Sequence, residues 1–592
     1  MRQGMLIPIL IGACLHSAAQ PVLITVDAAN ITGDLPWIWN DYHETHLRYG
    51  YGNPFFVTGP HVQFHDDPAF IAVMAQIRPR FLRVTNYMFE NPPTPDHVSA
   101  DTTVLKQLPE EFYDGPNTLA GADDPANYDF TYIDSLVATV RSYGSEPFLN
   151  LSFTPFPLAA NKAPSGSVLW DNTVRNGPAS DPMVYGRVMY HFVKHCYDEL
   201  GVTWFEGWNE PDPFLGPFFW TGTMQQLFDM YNAMANEIEA DPALAPNIHL
   251  GCCGFTFNFL LNAFATQFMA AAEQADTRMD FIGYHPYSIG TPSGYDPGRT
   301  VIAAALRDLY RPNAELVNTE WGLLGGVDRE QWADLDYGLA KVRSMIGMLD
   351  EGVEIATQAV LTDIFDDTSS TCCPGVVQLW PQVAIKNSTR PLIAMNMVRT
   401  ATHRVGASST DSAVVAGWTP GMDTLWVVAT ADTGIAPVQV QLSIADLPWA
   451  SARIERFELT ETTIDVWNGP TLVEDDVQTD VWGDTLVHTV DQGSGRLIIW
   501  RVTEDQGMSV ASSGTPGAFA LFPQPAEDLV QVDLGMHGKG TLMLKDAAGR
   551  TARTWAITGQ SMLLDLSEVP AGAYLLSWNG PVRKITTRLL KH

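Results

Sequence analysis

The sequence predicts an α/β protein: a (β/α)8 TIM barrel, followed by an antiparallel β-sandwich and a small C-terminal all-β domain. Three observations carry that expectation. From residue 34 to about 400, short apolar runs alternate with segments of helical periodicity, and such alternation implies a parallel sheet. Two of the runs end in glutamate: Trp204-Phe205-Glu206-Gly207-Trp208-Asn209-Glu210-Pro211-Asp212 and Glu315-Leu316-Val317-Asn318-Thr319-Glu320-Trp321-Gly322. The gap between them holds three strand–helix units, which puts both glutamates on one rim of a barrel. Past residue 405 the pattern changes to the two-residue alternation of antiparallel strands. At 592 residues the chain exceeds the roughly 250–300 residues that one core usually holds, so several domains are expected.

In chain order, residues 1–20 read as a signal peptide. Arg2 gives the positive end, Met5–Ala13 the apolar stretch, and His16-Ser17-Ala18-Ala19-Gln20 the small residues of a cleavage site. Ile11-Gly12-Ala13-Cys14 offers a competing lipoprotein box that would leave a lipidated Cys14. The barrel is assigned to 21–404. Its candidate strands are Leu35–Asn40, Arg80–Thr85, Pro147–Phe153, Thr203–Trp208, Ile248–Gly251, Phe281–Tyr284, Glu315–Thr319 and Thr357–Phe365. Helical patterns fall at Pro68–Ile77, Tyr132–Tyr143, Pro182–Leu200, Met224–Glu239, Leu260–Ala275, Val301–Tyr310, Glu330–Leu349 and Leu392–Ala401. Asp181-Pro182 supplies a cap plus a proline at the first helical position. The β-sandwich is assigned to 405–503, with Val22–Asp27 as a candidate further strand. The polar run 504–517 reads as a linker, and 518–592 as the last β domain.

A net charge of −33 and a pI near 4.6 argue against nucleic acid or an anionic membrane surface as a partner. No stretch is apolar and long enough for stable membrane insertion. Without Cys14 the cysteines are Cys196, Cys252, Cys253, Cys372 and Cys373. Their pairing is open, and their spacing is not that of a zinc site. No metal or organic cofactor is expected.

Functional residues of such a barrel gather at the C-terminal strand ends. The tips offer Trp37, Asn40, His43, Glu44 and His46; then Arg83 and Asn86; then Asn150, Phe153 and Thr154; then Trp208, Asn209 and Glu210. Later tips offer Cys252-Cys253, His285-Pro286-Tyr287, Glu320-Trp321, and Asp363 with Asp366-Asp367. The aspartates suit calcium, though a solvated loop is the favoured reading. Two carboxylates on one rim suit glycosidic bond cleavage: one protonates the leaving oxygen, the other attacks or activates water. Arg83 beside a nucleophilic glutamate would keep it ionised. Asn209 can donate to a hydroxyl, and aromatic faces such as Trp220, Phe214, Phe218 and Phe219 suit sugar rings.

Trp208-Asn209-Glu210-Pro211, Phe281-Ile282-Gly283-Tyr284-His285-Pro286-Tyr287 and Thr319-Glu320-Trp321 resemble the clan of retaining (β/α)8 glycoside hydrolases, and within it family 39 of the β-xylosidases and α-L-iduronidases. The segment Asn387–Val398 resembles that family's last barrel helix. The resemblance covers roughly residues 34–500. It implies that Glu210 is the acid/base, Glu320 the nucleophile, and Asn209, His285 and Tyr287 substrate ligands, with Arg83, Asn150, Phe153, Trp208 and Trp321 as further substrate-binding candidates. Where that family often has Arg-x-His, this chain has Arg83-Val84-Thr85, a departure that bears on sugar specificity. Leu521-Phe522-Pro523-Gln524-Pro525, Lys545-Asp546-Ala547-Ala548-Gly549-Arg550 and Pro570-Ala571-Gly572-Ala573-Tyr574 resemble the C-terminal sorting domain of type IX secretion, found in Bacteroidetes. The expectation is thus a secreted or cell-surface retaining glycosidase, xylosidase-like, that acts on an oligosaccharide or polysaccharide and meets the type IX machinery. The alternatives are a non-catalytic carbohydrate-binding protein on the same scaffold, or an endo-acting or uronic-acid-specific glycosidase of the clan.

Overall fold

The alternating strands and helices close into a barrel. The structure, a computed structural model, describes residues 22–44, 67–85, 112–161, 176–212, 219–256, 263–287, 298–322, 334–362, 375–378, 383–410, 412–431, 439–449, 451–459, 471–478, 485–491, 497–505, 520–522, 528–533, 540–546, 550–557, 561–579 and 584–591. The expected leader, linker residues 506–517, and His46, Asn86, Phe214, Phe218, Asp363, Asp366, Asp367, Cys372 and Cys373 lie outside those residues.

After β1 (Val22–Asp34) come β2 (Tyr42–Glu44), α1 (Pro68–Ile77), β3 (Phe81–Val84), α2 (Leu119–Ala122), α3 (Thr131–Ser142), β4 (Glu146–Asn150), α4 (Pro182–Asp198), β5 (Trp204–Glu206) and α5 (Met224–Glu239). Then follow β6 (His249–Phe255), α6 (Ala263–Gln274), β7 (Phe281–Tyr284), α7 (Gly298–Tyr310), β8 (Glu315–Trp321), α8 (Leu335–Asp350) and β9 (Val353–Ala359). Strands β2 to β9 form a closed parallel barrel in sequence order. Helix starts follow the caps. Asp67 Oδ1 accepts from Ala69 N–H at 2.8 Å, Asp181 Oδ1 from Met183 N–H at 2.9 Å, and Thr223 and Gln226 form a reciprocal capping box.

Two strands differ from expectation. The first barrel strand is β2, not Leu35–Asn40. Pro36 has no N–H for a ladder, Leu35 N–H donates to Thr402 O at 2.8 Å, and the Asn40 side-chain amide donates to Leu392 O and Asn396 Oδ1 at 3.2 and 2.9 Å. The eighth starts at Val353 rather than Thr357, because Gly352, at φ 77°, turns the chain straight out of α8. The expected final helix is shorter: α9, which follows β10 (Val377–Gln378) and β11 (Ala384–Ile385), spans Arg390–Ala394 and tightens into a 3-10 turn, Met395–Val398.

Inward-facing positions two apart along a strand divide the barrel interior. At the strand starts Phe81, Phe148, Phe281, Val317 and Ile355 form an apolar plug, with Trp204 packed against it. Two residues on stand Arg83, Asn150, Glu206, Gly283 and Thr319. The plug seals the bottom, and buried polar groups lie just under the mouth.

The remaining strands of the β domain are β12 (His403–Ser409), β13 (Ser412–Trp418), β14 (Thr424–Ala431), β15 (Gln439–Ala445), β16 (Ala452–Leu459), β17 (Thr471–Gln478), β18 (Thr485–Asp491) and β19 (Leu497–Glu504). They build one mostly antiparallel sheet, ordered β17-β16-β19-β14-β13-β12-β1-β15-β18. β1 is antiparallel to β12 and parallel to β15. Its alternation buries Val22, Ile24 and Val26 against Trp418 and Trp500. Residues 520–591 contribute a three-stranded and a four-stranded antiparallel sheet around Val530, Leu542, Leu544, Leu576 and Trp578. Cys196 is free and buried, and the sulfurs of Cys252 and Cys253 contact each other. Among the described residues no helix is long and apolar enough to cross a membrane.

Candidate active site

The segment after β5 is pinned along β6. Gly207 N–H donates to Gly251 O at 2.8 Å, and Glu210 N–H to Gly254 O at 3.2 Å. Asp212 accepts from the Thr256 N–H and hydroxyl, both at 2.9 Å. Between these anchors Glu210 sits at φ 44°, a left-handed conformation that costs a non-glycine residue about 1–3 kcal/mol and persists only where its surroundings hold it. Glu320 lies at a register shift in the β8–β9 pairing, between Asn318 and Trp321, where an irregular ladder re-aims a side chain.

The two carboxylates meet at the mouth. His285, at the end of β7, places Nδ1 2.7 Å from Glu210 Oε1 and 3.8 Å from Glu320 Oε2. The donor atoms of Glu210, His285 and Glu320 all lie within 4.8 Å of one another, and the two glutamate side chains keep 20% and 16% exposure. Tyr287 donates its phenol to Glu320 Oε1. Arg83, fully buried, donates from Nη1 to Glu320 Oε2 at 3.3 Å and from Nη2 to Asn209 Oδ1 at 2.8 Å. It also donates to His43 Nδ1 at 3.0 Å. An arginine only donates, so Nδ1 of a neutral His43 accepts and Nε2 carries the proton. That Nε2 stands 3.5 Å from Glu320 Oε2.

These surroundings drive the two carboxyls apart. Burial pushes the Glu210 pKa up and the charges of Glu320 and Asp212 add to the rise, while His285 opposes it only when its Nδ1 carries a proton. For Glu320 burial also raises the pKa, but the Arg83 charge and the Tyr287 phenol, with His43 and His285 whenever they are protonated, outweigh it and hold the carboxyl below its usual range. Burial, with Glu320 and Glu210 nearby, holds the Tyr287 phenol well above its usual value, so it stays a donor. One group keeps its proton and the other gives it up, the division of labour that acid and nucleophile require.

The raised Glu210 pKa has a stability consequence. The folded state binds this proton more tightly than the unfolded chain does, so folding loses free energy as pH rises from the ordinary carboxylate range through the folded value. Glu210→Gln lacks that penalty. Its Tm relative to wild type is expected to be higher at about pH 8 than at about pH 4, where both carboxyls are largely neutral. A difference independent of pH, measured by thermal unfolding, contradicts the raised proton affinity.

The other candidates divide into two groups. Asn209, Arg83, His285 and Tyr287 touch the carboxylates or their partners. Asn150, fully buried, donates to Glu206 Oε2 at 2.6 Å and accepts from Ser152 N–H at 3.1 Å. Phe153, Trp208 and Trp321 are 2%, 1% and 1% exposed. Phe153 packs edge-on to Trp208, whose indole N–H donates to Phe219 O at 2.9 Å; the Trp321 N–H donates to Ala356 O at 3.2 Å. All three rings are buried in the barrel's packing. Glu206, which carries the Arg83 ion pair at 2.6 Å, was no candidate; a charge inside an apolar strand was its signal in the sequence. The convergence of Glu210, His285 and Glu320 would also suit a cation, but Arg83 already places a positive charge on the Glu320 oxygen, and we assign no metal.

A parallel eight-stranded barrel with two facing carboxylates of opposite proton affinity at its mouth is an arrangement suited to glycosidic bond cleavage. Residues 118–297 match the family model described as Glycosyl hydrolases family 39. The β-xylosidase of Caldicellulosiruptor saccharolyticus is 23% identical over 271 residues, covering 43% of this chain and 52% of that protein. The β-xylosidase of Geobacillus stearothermophilus is 27% identical over 178 residues, covering 28% and 32%. The chain therefore spans about half the length, or less, of these relatives. The crystal structure of a glucosidase from Croceicoccus marinus superposes with a TM-score of 0.55 at 16% identity, covering 83% of this chain and 100% of that one, a likeness of fold.

Proposed function

We propose that this protein is a secreted retaining glycoside hydrolase, xylosidase-like in preference, that cleaves an oligosaccharide or polysaccharide. Glu210 protonates the leaving oxygen as Glu320 attacks the anomeric carbon. The glycosyl–Glu320 ester is then opened by water, whose proton goes to Glu210. The observation that supports this is the close approach of the two carboxyls: one oxygen of each lies within 4.8 Å of the other, a nearest-atom spacing that favours the shorter carboxyl separation. Retaining enzymes hold their carboxyl groups about 5–5.5 Å apart, and inverting enzymes leave about 6.5–9.5 Å for a water. Arg83, His43 and Tyr287 hold Glu320 ionised, and Asn209, held by Arg83, lies beside the acid where a sugar hydroxyl would dock.

The family match and the two β-xylosidase relatives support β-xylosides as the first substrates to try. The signal-like N-terminus and the sorting-domain resemblance of residues 518–592 support export through type IX secretion and a place outside the cell. The test is a panel of aryl β-xylosides, α-arabinosides, β-glucosides, glucuronides and iduronides. Wild type is expected to hydrolyse at least one with retained anomeric configuration. An inverted first product overturns the mechanism, and inactivity on the panel and on xylan-type and algal polysaccharides overturns the enzyme reading.

A further inference from the structure

Glu206 has no part in the bond-making steps above, yet it is a fully buried carboxylate directly beneath them. Its Oε2 is crowded with donors: Arg83 Nε and Nη2 at 2.9 and 2.6 Å, and Asn150 Nδ2 at 2.6 Å. Its Oε1 is buried without a hydrogen-bond partner. His285 shows the same imbalance, with Nδ1 on Glu210 and Nε2 buried without a partner. A buried polar atom left unmet costs about 1–3 kcal/mol, so two beside the acid call for a cause.

Two glycines bring these atoms to one place. A Cβ on Gly254 would stand 2.7 Å from His285 Nε2 and 3.2 Å from Glu206 Oε1, and one on Gly283 would collide with Glu206 Oε1. The Thr319 hydroxyl is buried without a partner as well, and its methyl lies 3.3 Å from that Gly283 position. Three buried polar atoms without partners beside the two glycines are a setting in which a bridging water settles.

We propose that Glu206 is a positioning residue for the acid: through one water over Gly254 its Oε1 takes up the Nε2 proton of His285 and so fixes the imidazole tautomer that faces Glu210. The inference rests on Glu210 as the acid/base. The water donates one hydrogen to the carboxylate, and the Glu206 charge favours the arrangement in which the water oxygen accepts from Nε2–H, so the neutral ring presents a bare Nδ1. The 2.7 Å contact with Glu210 Oε1 is then an O–H donated by Glu210, the protonation state that the first step needs. Once that proton has left with the departing oxygen, the bare Nδ1 opposes the new carboxylate and makes it a stronger base toward the incoming water. Among the described residues, the charged and titratable groups that face His285 are Glu206 and Glu210 from β5 and the segment after it, Glu320 from β8 and Tyr287 after β7. Arg299 of α7 donates to the His285 carbonyl at 3.3 Å.

Glu206→Gln tests this. Its amide oxygen still accepts from Arg83 and Asn150, so its NH2 donates to the water, whose hydrogens are then free to face Nε2, and the preference for Nε2–H is lost. Histidine 15N spectra, with His285 assigned through His285→Gln, are expected to show Nε2–H in wild type and Nδ1–H in Glu206→Gln. With Nδ1–H donated to a Glu210 carboxylate, the basic limb of the kcat/KM profile moves to lower pH. Aryl glycosides with poor leaving groups lose roughly tenfold or more, while dinitrophenyl glycosides, which need no acid, are spared. Nδ1–H in wild type overturns the proposal, as does an equal loss on all leaving groups with an unmoved profile. Should Glu206→Gln not fold, Gly254→Ala, which blocks the link and leaves Glu206 on Arg83, is expected to move the profile the same way; an unmoved profile there overturns the proposal. Failure of the glycosidase reading shows separately, as wild-type inactivity, and the wild-type tautomer stays readable.

Discussion

Glu320→Ala is expected to lower turnover by about a million-fold, the scale of loss when a covalent nucleophile is removed, equivalent to about 8 kcal/mol of barrier. The folded state should survive, because the side chain sits at a solvent-reaching mouth and its loss forfeits only the contacts with Arg83, His43, His285 and Tyr287. The loss should be specific in kind. With an activated aryl glycoside, azide can occupy the space left by the carboxylate and attack the anomeric carbon. The new C–N bond forms as the bond to the aryl oxygen breaks, and the glycosyl azide has inverted configuration. Rate and product are read by chromatography and proton spectra. Activity near wild type in Glu320→Ala, with no azide product, removes Glu320 from the chemistry.

Arg83→Met is expected to have the largest effect on stability, about 3–5 kcal/mol, as found when one partner of a buried ion pair is removed. Arg83 is fully buried and donates to Glu206, Asn209, Glu320 and His43 at once. Methionine keeps much of the volume but leaves the Glu206 charge with Asn150 alone. The same change removes one of the groups that keep Glu320 ionised, so the acidic limb of the pH–rate profile should move to higher pH. Adding Glu206→Gln neutralises the stranded charge, and the double variant should recover part of the loss, a coupling that a double-mutant cycle in denaturant measures. Equal stability of Arg83→Met and wild type would show that the ion pair carries no weight in the fold.

Much of this was legible where local chemistry decides. The bounds of Pro68–Ile77, Met224–Glu239 and Phe281–Tyr284 were read correctly, because caps sit beside the two helices and turns beside the strand. Leu35–Asn40 and Thr357–Phe365 were misplaced because apolar runs beside the true strands look alike in one dimension. Ladder pairing and the turn at Gly352 choose between them. In the site, Glu210, Glu320, His285, Tyr287 and Asn209 announce themselves at strand tips. Arg83 was legible as a residue but not in its reach: its ion-pair partner Glu206 is 123 residues away. Glu206 stands inside the motif that first marks the barrel, yet only closure of the strands shows that it lies under the acid. Trp208 and Trp321 read as sugar platforms by position. The structure shows what position alone does not: both rings are buried, with their indole N–H groups on backbone carbonyls.

The central claim is that Glu320 carries the sugar between the two steps. The direct measurement is trapping. A 2-deoxy-2-fluoro glycoside with a good leaving group, built on whichever sugar the substrate panel identifies, slows opening of the ester and lets it accumulate. Digestion and mass spectrometry are expected to find one fluorosugar on the peptide that contains Glu320, with activity lost in proportion. A label on another residue, or full inactivation with none on Glu320, would contradict the account.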